Sequence, residues 1–217
     1  MIIARIIALA IGYCFGIFQT GYFYGKSKGI DIRNEGSGNA GATNSLRVLG
    51  WKAGFITFLG DLLKAILAVV IVYFIFRNTY AEQIRLLEIY AGFGAVIGHN
   101  FPFYLNFKGG KGIASTVGLI LAVNPVMFLI VAIVFIAIVW FTQYVSLGSI
   151  VIMVLFVIQV VIYGQMDGFG LTGGELYEFY AIAIVLAALA IWRHRANMKR
   201  LATGTENKTD LRKIGKK

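Results

Sequence analysis

Three polar stretches of this chain carry side chains able to hold an oxyanion, and apolar sequence separates them. The first reads Glu35-Gly36-Ser37-Gly38-Asn39-Ala40-Gly41-Ala42-Thr43-Asn44-Ser45-Leu46-Arg47. Its glycines leave backbone amides uncovered, and short hydroxyl and amide side chains stand between them. Ser37, Asn39, Thr43 and Asn44 are therefore candidate donors to one oxyanion. Arg47 adds a forked cation matched to phosphate or carboxylate. A plain connector between neighbouring helices needs about 2 to 8 residues. This segment is several times longer, which argues against a loop that uses glycine only to turn.

The second stretch opens with Gly98-His99-Asn100-Phe101-Pro102 and closes with Lys108-Gly109-Gly110-Lys111-Gly112. A glycine pair between two lysines at a helix start combines free amides, the positive end of the helix dipole and two ammonium groups, and so forms an anion cradle. It is not a Walker A loop: Leu105 stands where the first glycine belongs, and Gly112 rather than Ser or Thr follows Lys111. Nucleotide hydrolysis is dropped on that ground. The plainer role for Lys108 and Lys111 is contact with anionic lipid headgroups. The third stretch, Trp192 to Arg200, holds His194 and Asn197 among arginines. His99 and His194 are the two histidines of the chain. Either can move a proton near neutral pH, although a histidine at a helix end more often serves as a hydrogen-bonding residue. No spacing of His, Cys or carboxylates marks a metal site, no nucleophile elbow is present, and no cofactor is expected.

The elements that must position these loops are membrane spans. Of 217 residues, 59% are hydrophobic and 14% charged, too apolar for a water-soluble domain of this size. A crossing helix needs about 20 apolar residues, so the chain reads as one polytopic membrane domain over 1–217. Seven spans are expected, at about 2–24, 51–76, 86–97, 112–123, 126–141, 145–163 and 177–192. The loops 29–50, 98–112 and 193–217 carry the motifs. Asn124-Pro125 makes a tight turn between the fourth and fifth spans. A signal peptide is the rival reading of the first span, but it lacks a small-x-small cleavage site.

A net charge of +10 would also fit a nucleic-acid partner, but the cations cluster at the ends of apolar runs, which fits a membrane surface and no nucleic acid. Lys26, Lys28, Arg33, Arg47, Lys52, Lys108, Lys111, Arg193, Arg195, Lys199, Arg200, Lys208, Arg212, Lys213, Lys216 and Lys217 all fall in the segments that an odd number of spans places on one side. Only Arg77 and Arg85 fall opposite. The positive-inside rule then puts the N-terminus outside and the C-terminus in the cytoplasm. Within the second span, Asp61 and Lys64 share a helix face and can pair, either as functional groups or as an ion pair that orients the span. Glu88 reads as an outer interfacial residue, and Cys14 as a packing residue.

With these motifs in hand, the chain resembles the bacterial acyl-phosphate:glycerol-3-phosphate acyltransferases. The resemblance rests on Ser37-Gly38-Asn39 through Thr43-Asn44 and Arg47, on Gly98-His99-Asn100-Phe101-Pro102 with Lys108-Gly109-Gly110-Lys111-Gly112, and on His194-Arg195 and Asn197 with Gly204-Thr205-Glu206. It covers essentially the whole chain. Ala196 departs from the pattern, since many relatives carry glutamate there, and this puts any role of that carboxylate in doubt. The resemblance implies a seven-span fold, an active site at the cytoplasmic face of the bacterial inner membrane, and transfer of a fatty acyl group from acyl phosphate to the 1-hydroxyl of glycerol 3-phosphate. The partners are those two substrates and membrane lipids, with no obligate protein partner.

On that reading Ser37, Asn39, Thr43 and Asn44 position the acyl phosphate, and Arg47, Lys108 and Lys111 neutralise phosphate. Gly109 and Gly110 offer amides, and His194 and Asn197 close the pocket. Glu206 braces the arginine-rich segment. The base is His99, His194 or a substrate phosphate oxygen. A carrier for anionic solutes is a rival class, but it would place polar groups near the bilayer midplane on broken helices. A scaffold acting through the basic tail from Lys199 to Lys217 would leave the long first loop without a role.

Overall fold

The computed structural model describes residues 1–209, so Arg212, Lys213, Lys216 and Lys217 lie outside the described residues. Among the described residues every regular element is helical: α1 (Ile2–Gly16), α2 (Thr20–Ser27), α3 (Ala42–Leu49), α4 (Trp51–Phe76), α5 (Ile84–Asn100), α6 (Ile113–Val123), α7 (Pro125–Thr142), α8 (Val145–Gln165), α9 (Gly173–Arg193) and α10 (Arg195–Ala202). Among the described residues five segments are long and apolar enough to cross a membrane: α1 with α2, α4, α7, α8 and α9. α5 and α6 are shorter. At 1.5 Å per residue they reach about 26 and about 17 Å, against about 30 Å of hydrocarbon.

The packing of α1 on α5 uses small residues in place of a hydrophobic drive that lipid cannot supply. Ala4, Ala8, Gly12 and Gly16 recur every fourth residue and are buried. A Cβ on Gly12 or Gly16 would strike the carbonyls of Ala91 or Ala95, and one on Gly98 would meet the Tyr13 carbonyl at 2.5 Å. Backbones this close fix the height of His99 relative to α1.

The first apolar run is not one helix. It breaks at Ile17–Gln19, where Gln19 is fully buried and its amide donates to the His99 carbonyl at 3.0 Å. The break turns the Phe18 carbonyl toward the bundle interior, where the Lys64 ammonium donates to it at 2.7 Å.

α6 is short because it starts inside the bundle. Ser115 donates to the Asp61 carbonyl at 3.0 Å, and Asp61 lies ten residues into α4, about 15 Å below its first turn. The glycine–lysine loop therefore dips between helices. Irregular backbone at such depth survives only where protein or a wet cavity satisfies it.

The Asn124 side chain caps α7 by accepting from the amides of Val126 and Met127 at 2.9 and 3.1 Å, with Pro125 in the first turn. Glu88 differs from expectation. It is 3% exposed and paired with Arg85 at 2.9 Å, because a carboxylate within a helix bundle needs a cation one turn away.

Candidate active site

One cavity of about 440 Å³ gathers residues from all three polar stretches, a size suited to a small amphiphile. Ser37, Asn39, Thr43, Asn44 and Arg47 line it from the first loop, His99, Lys111 and Gly112 from the second, and His194, Asn197, Arg200 and Glu206 from the tail. Opposite this polar end, Trp51, Phe55, Phe58, Ile113 and Phe135 form an apolar groove. The three aromatic side chains on α4 are partly exposed, so the groove opens sideways.

The first loop holds its shape through Asn44. This buried amide accepts from the Ser37 backbone at 2.8 Å and donates to the Ile32 and Glu35 carbonyls at 3.1 and 2.9 Å. Its amide group is thus engaged by the loop itself. Gly36 and Gly38 on either side of Ser37 have φ of +59° and +70°, a region open to glycine at low cost. Asn39 accepts from the Gly41 amide at 2.9 Å in an Asx turn that leads into α3. Asp31 braces the base of the loop by accepting from Arg33, whose guanidinium holds that carboxyl down to about 2.

The second loop works differently from expectation. The amides of Gly109 and Gly110 donate to the Asn100 and His99 carbonyls, each at 3.1 Å, and their own carbonyls accept from Arg193 at 2.9 and 2.7 Å. These amides do not face the cavity as free donors. Glycine is required there for space: a Cβ on Gly110 would run into the His99 ring, and one on Gly109 would strike the His99 carbonyl. Lys108 is exposed and off the cavity wall. The cradle that remains is Lys111 together with the first turn of α6, whose amides have no carbonyl one turn back. Gly112 opens that turn with φ of +85°.

From the tail, the Asn197 side chain accepts from the Lys111 ammonium and donates to Glu206 at 2.6 Å. Glu206 also accepts from Ser146 at 3.0 Å and Arg200 at 2.7 Å. These donors hold its carboxyl below the ordinary range, against the opposing effect of burial. Burial pushes the Lys111 ammonium down to about 8, with Arg200, Arg193 and Arg47 adding to the fall and Glu206 opposing it. His194 is buried, and its Nδ1 lies 2.7 Å from the Ala190 carbonyl. A carbonyl can only accept, so Nδ1 carries the proton and Nε2 is the free lone pair. Burial and the nearby Lys111 hold this imidazole down to about 4, so it is neutral at physiological pH.

Several wall residues went unassigned in the sequence. Ser146 and Ser149 sit three apart at the start of an otherwise apolar helix, a polar pair that was the available signal. Arg200, on the wall, read only as a flanking cation, as did Arg193, which braces the glycine pair behind it. Asp61 read as half of an ion pair, yet it lies on the cavity wall. Among the described residues no group of three His, Cys, Asp or Glu side chains could hold a metal ion.

The glycerol-3-phosphate acyltransferase family profile matches residues 6–204. The glycerol-3-phosphate acyltransferase of Clostridioides difficile (strain 630) is 43% identical over 221 residues, covering 100% of this chain and 98% of that one. That of Thermoanaerobacter sp. (strain X514) is 41% identical and covers 94% of each. Among solved structures, PlsY (YgiH), an integral membrane glycerol 3-phosphate acyltransferase, superposes in its glycerol 3-phosphate form with a TM-score of 0.80 at 34% identity, covering 94% of this chain and 95% of that one. Its lysophosphatidic acid form gives 0.78 at 33% identity. Matches of this length and identity leave one conclusion: the chain belongs to the glycerol-3-phosphate acyltransferase family.

Proposed function

We infer that this protein transfers a fatty acyl group from acyl phosphate to the 1-hydroxyl of glycerol 3-phosphate, giving lysophosphatidic acid and phosphate. The observation that carries this reading is a single cavity with a cationic, hydroxyl-rich end and an apolar groove open to the side. A reaction between a lipid-borne donor and a water-borne acceptor needs both. The solved relatives named for glycerol 3-phosphate and lysophosphatidic acid support the acceptor and the product.

The acyl donor is already a mixed anhydride, so the hydroxyl oxygen attacks the carbonyl carbon directly. A C–O bond forms, the bond from carbon to the phosphate oxygen breaks, and phosphate leaves with that electron pair. Lys111, Arg47 and the first turn of α6 neutralise phosphate charge, and Ser37, Asn39 and Thr43 donate to the developing oxyanion. The hydroxyl proton goes to a phosphate oxygen. The second ionisation of a phosphate ester lies at about 6, whereas His194 is held down to about 4, so phosphate is the stronger base of the two. His194 then orients the hydroxyl through its Nε2 lone pair.

The membrane arrangement that fits this chemistry has seven spans, with α5 and α6 as short spans and the cavity facing the cytoplasm, in the bacterial inner membrane. The concentration of Lys and Arg at the cavity end supports that orientation. The test is purified protein in lipid, supplied with glycerol 3-phosphate and, separately, acyl phosphate, acyl-CoA and acylated acyl carrier protein. Lysophosphatidate and phosphate are expected only with the first donor. Turnover on a thioester and none on acyl phosphate would reassign the donor.

A further inference from the structure

The mechanism above leaves one buried cluster unused. Asp61 and Lys64 in α4 and His99 at the end of α5 are between 1% and 5% exposed, and Asp61 and His99 both border the cavity. The Lys64 ammonium has three near neighbours: the Phe18 carbonyl at 2.7 Å, Asp61 Oδ1 at 2.9 Å and His99 Nδ1 at 2.8 Å. An ammonium has three N–H bonds, and this environment offers three acceptors. A buried carboxylate requires a cation beside it, which keeps the proton on Lys64. A proton on His99 Nδ1 would then set two donors head to head at 2.8 Å. Nδ1 is therefore the acceptor, and the ring's single proton sits on Nε2. That edge of the ring lies against Gly110, beside Lys111 and the start of α6, and among the described residues no acceptor takes it.

We propose that Asp61 and Lys64 are positioning residues that hold His99 as a neutral Nε2–H donor to a phosphoryl oxygen in the cavity. His99 is thereby removed as the general base, and it acts on charge that stays on phosphate while the acyl group leaves. The supporting frame is unusually complete: the break after α1 supplies the Phe18 carbonyl, Thr20 donates to Asp61 Oδ1 at 3.3 Å, and Gln19 secures the His99 backbone. Turning the ring over would give up the Nδ1 contact with the Lys64 ammonium that this frame holds in place.

The assignment rests on the proposed acyl transfer for its role but not for its test. The chain has two histidines, so nitrogen-15 NMR of the full-length protein labelled at histidine, compared with a His194→Gln sample, isolates the His99 ring. The expected spectrum shows Nε2 protonated and Nδ1 bare, with the Nε2 signal moving when inorganic phosphate is added. A proton on Nδ1, or an Nε2 indifferent to saturating phosphate, overturns the proposal. Lys64→Met should release the tautomer preference, and an unchanged ring would remove Lys64 from the positioning role.

In turnover assays, His99→Gln keeps a donor near the Nε2 position and should retain activity within about tenfold of the parent, while His99→Ala loses about a hundredfold or more. Equal losses in two variants that melt like the parent would instead mark His99 as a base. Failure of acyl phosphate as donor would sink the proposed reaction and leave the NMR result to decide the tautomer.

Discussion

The two histidines of the cavity sit in opposite kinds of surroundings. His99 is held by helix packing, with its Nδ1 facing a buried ammonium and its backbone locked to the break between α1 and α2. His194 sits where α9 gives way to α10, its Nδ1 proton on the Ala190 carbonyl, with Lys111 from the second loop and Glu206 from the tail nearby. One ring is a fixed donor and the other a fixed acceptor. The difference also separates two ways of building a polar site: the Asp61–Lys64–His99 cluster is placed by close backbone contacts in the bundle, whereas the Lys111–Asn197–Glu206 cluster is assembled from a loop and a chain end through charge. The first should resist changes of pH and salt, and the second should respond to them.

The largest effect expected is from Asp61→Ala, which leaves the Lys64 ammonium buried without its counter-ion. Loss of one partner of such a pair costs about 3–5 kcal/mol, so a large fall in thermal stability in detergent is the expected readout. The double variant Asp61→Leu/Lys64→Met removes both charges and should recover most of that stability while activity stays low. Recovery of activity along with stability would reduce the cluster to a packing device.

Next in size is Lys111→Met, which should lower kcat/KM by about a hundredfold if the ammonium neutralises phosphate. Its pH dependence gives a sharper signature. In the free protein Lys111 is cationic below about 8 and loses its proton above it, while substrate phosphate becomes dianionic above about 6. Affinity for glycerol 3-phosphate should therefore be greatest between these limits, and KM should rise at alkaline pH by up to about tenfold per unit. Bound phosphate restores the proton, so kcat at saturation should hold. A KM that does not move above pH 8, or that moves equally in Lys111→Met, would break the assignment.

A smaller change is expected for Glu206→Gln. The folded carboxyl is held below its ordinary value, so its contribution to stability is present above the unfolded pKa of about 4.3 and is lost as pH falls through the folded value. Arg200, its partner at 2.7 Å, is about a third exposed, which limits the pair by solvent screening. Turnover should fall about tenfold or less, and the parent's loss of stability in acid should become shallower in the variant. An acid profile identical to the parent's would mean that the tail is held by other contacts.

These clusters were unequally legible in the sequence. The long apolar runs could be read directly, and α4 begins and ends with its run, because no proline lies within Trp51–Phe76 and its charged residues are few, Lys52 in the first turn and Asp61 and Lys64 further in. The anion-holding character of the three loops was legible too, since glycine, hydroxyl, amide and cation types state their chemistry without a fold. Hidden were features that depend on a distant partner. The break at Ile17–Gln19 requires the His99 carbonyl, 80 residues away. The start of α6 deep in the bundle requires the Asp61 backbone to meet Ser115. The direction of the Gly109 and Gly110 amides requires Arg193 on the opposite side of the loop. Local pattern marks which residues can do chemistry, but the direction each group faces is decided by contacts far along the chain.

Lys108 and Lys111 make the finest distinction, because both flank the same glycine pair and share a residue class. Lys111 borders the cavity and reaches Asn197, whereas Lys108 is exposed and off the wall. An exposed ammonium at a membrane surface contributes attraction to anionic headgroups of about 1 kcal/mol, and nothing places it near substrate. Lys108→Ala should leave kcat and KM within about twofold in detergent, with any deficit confined to assays in anionic lipid and absent in zwitterionic lipid. A hundredfold loss in detergent, matching Lys111→Met, would mean that the loop rearranges around substrate to bring both lysines onto phosphate, and the division drawn here between the wall of the cavity and its rim would have to be moved outward.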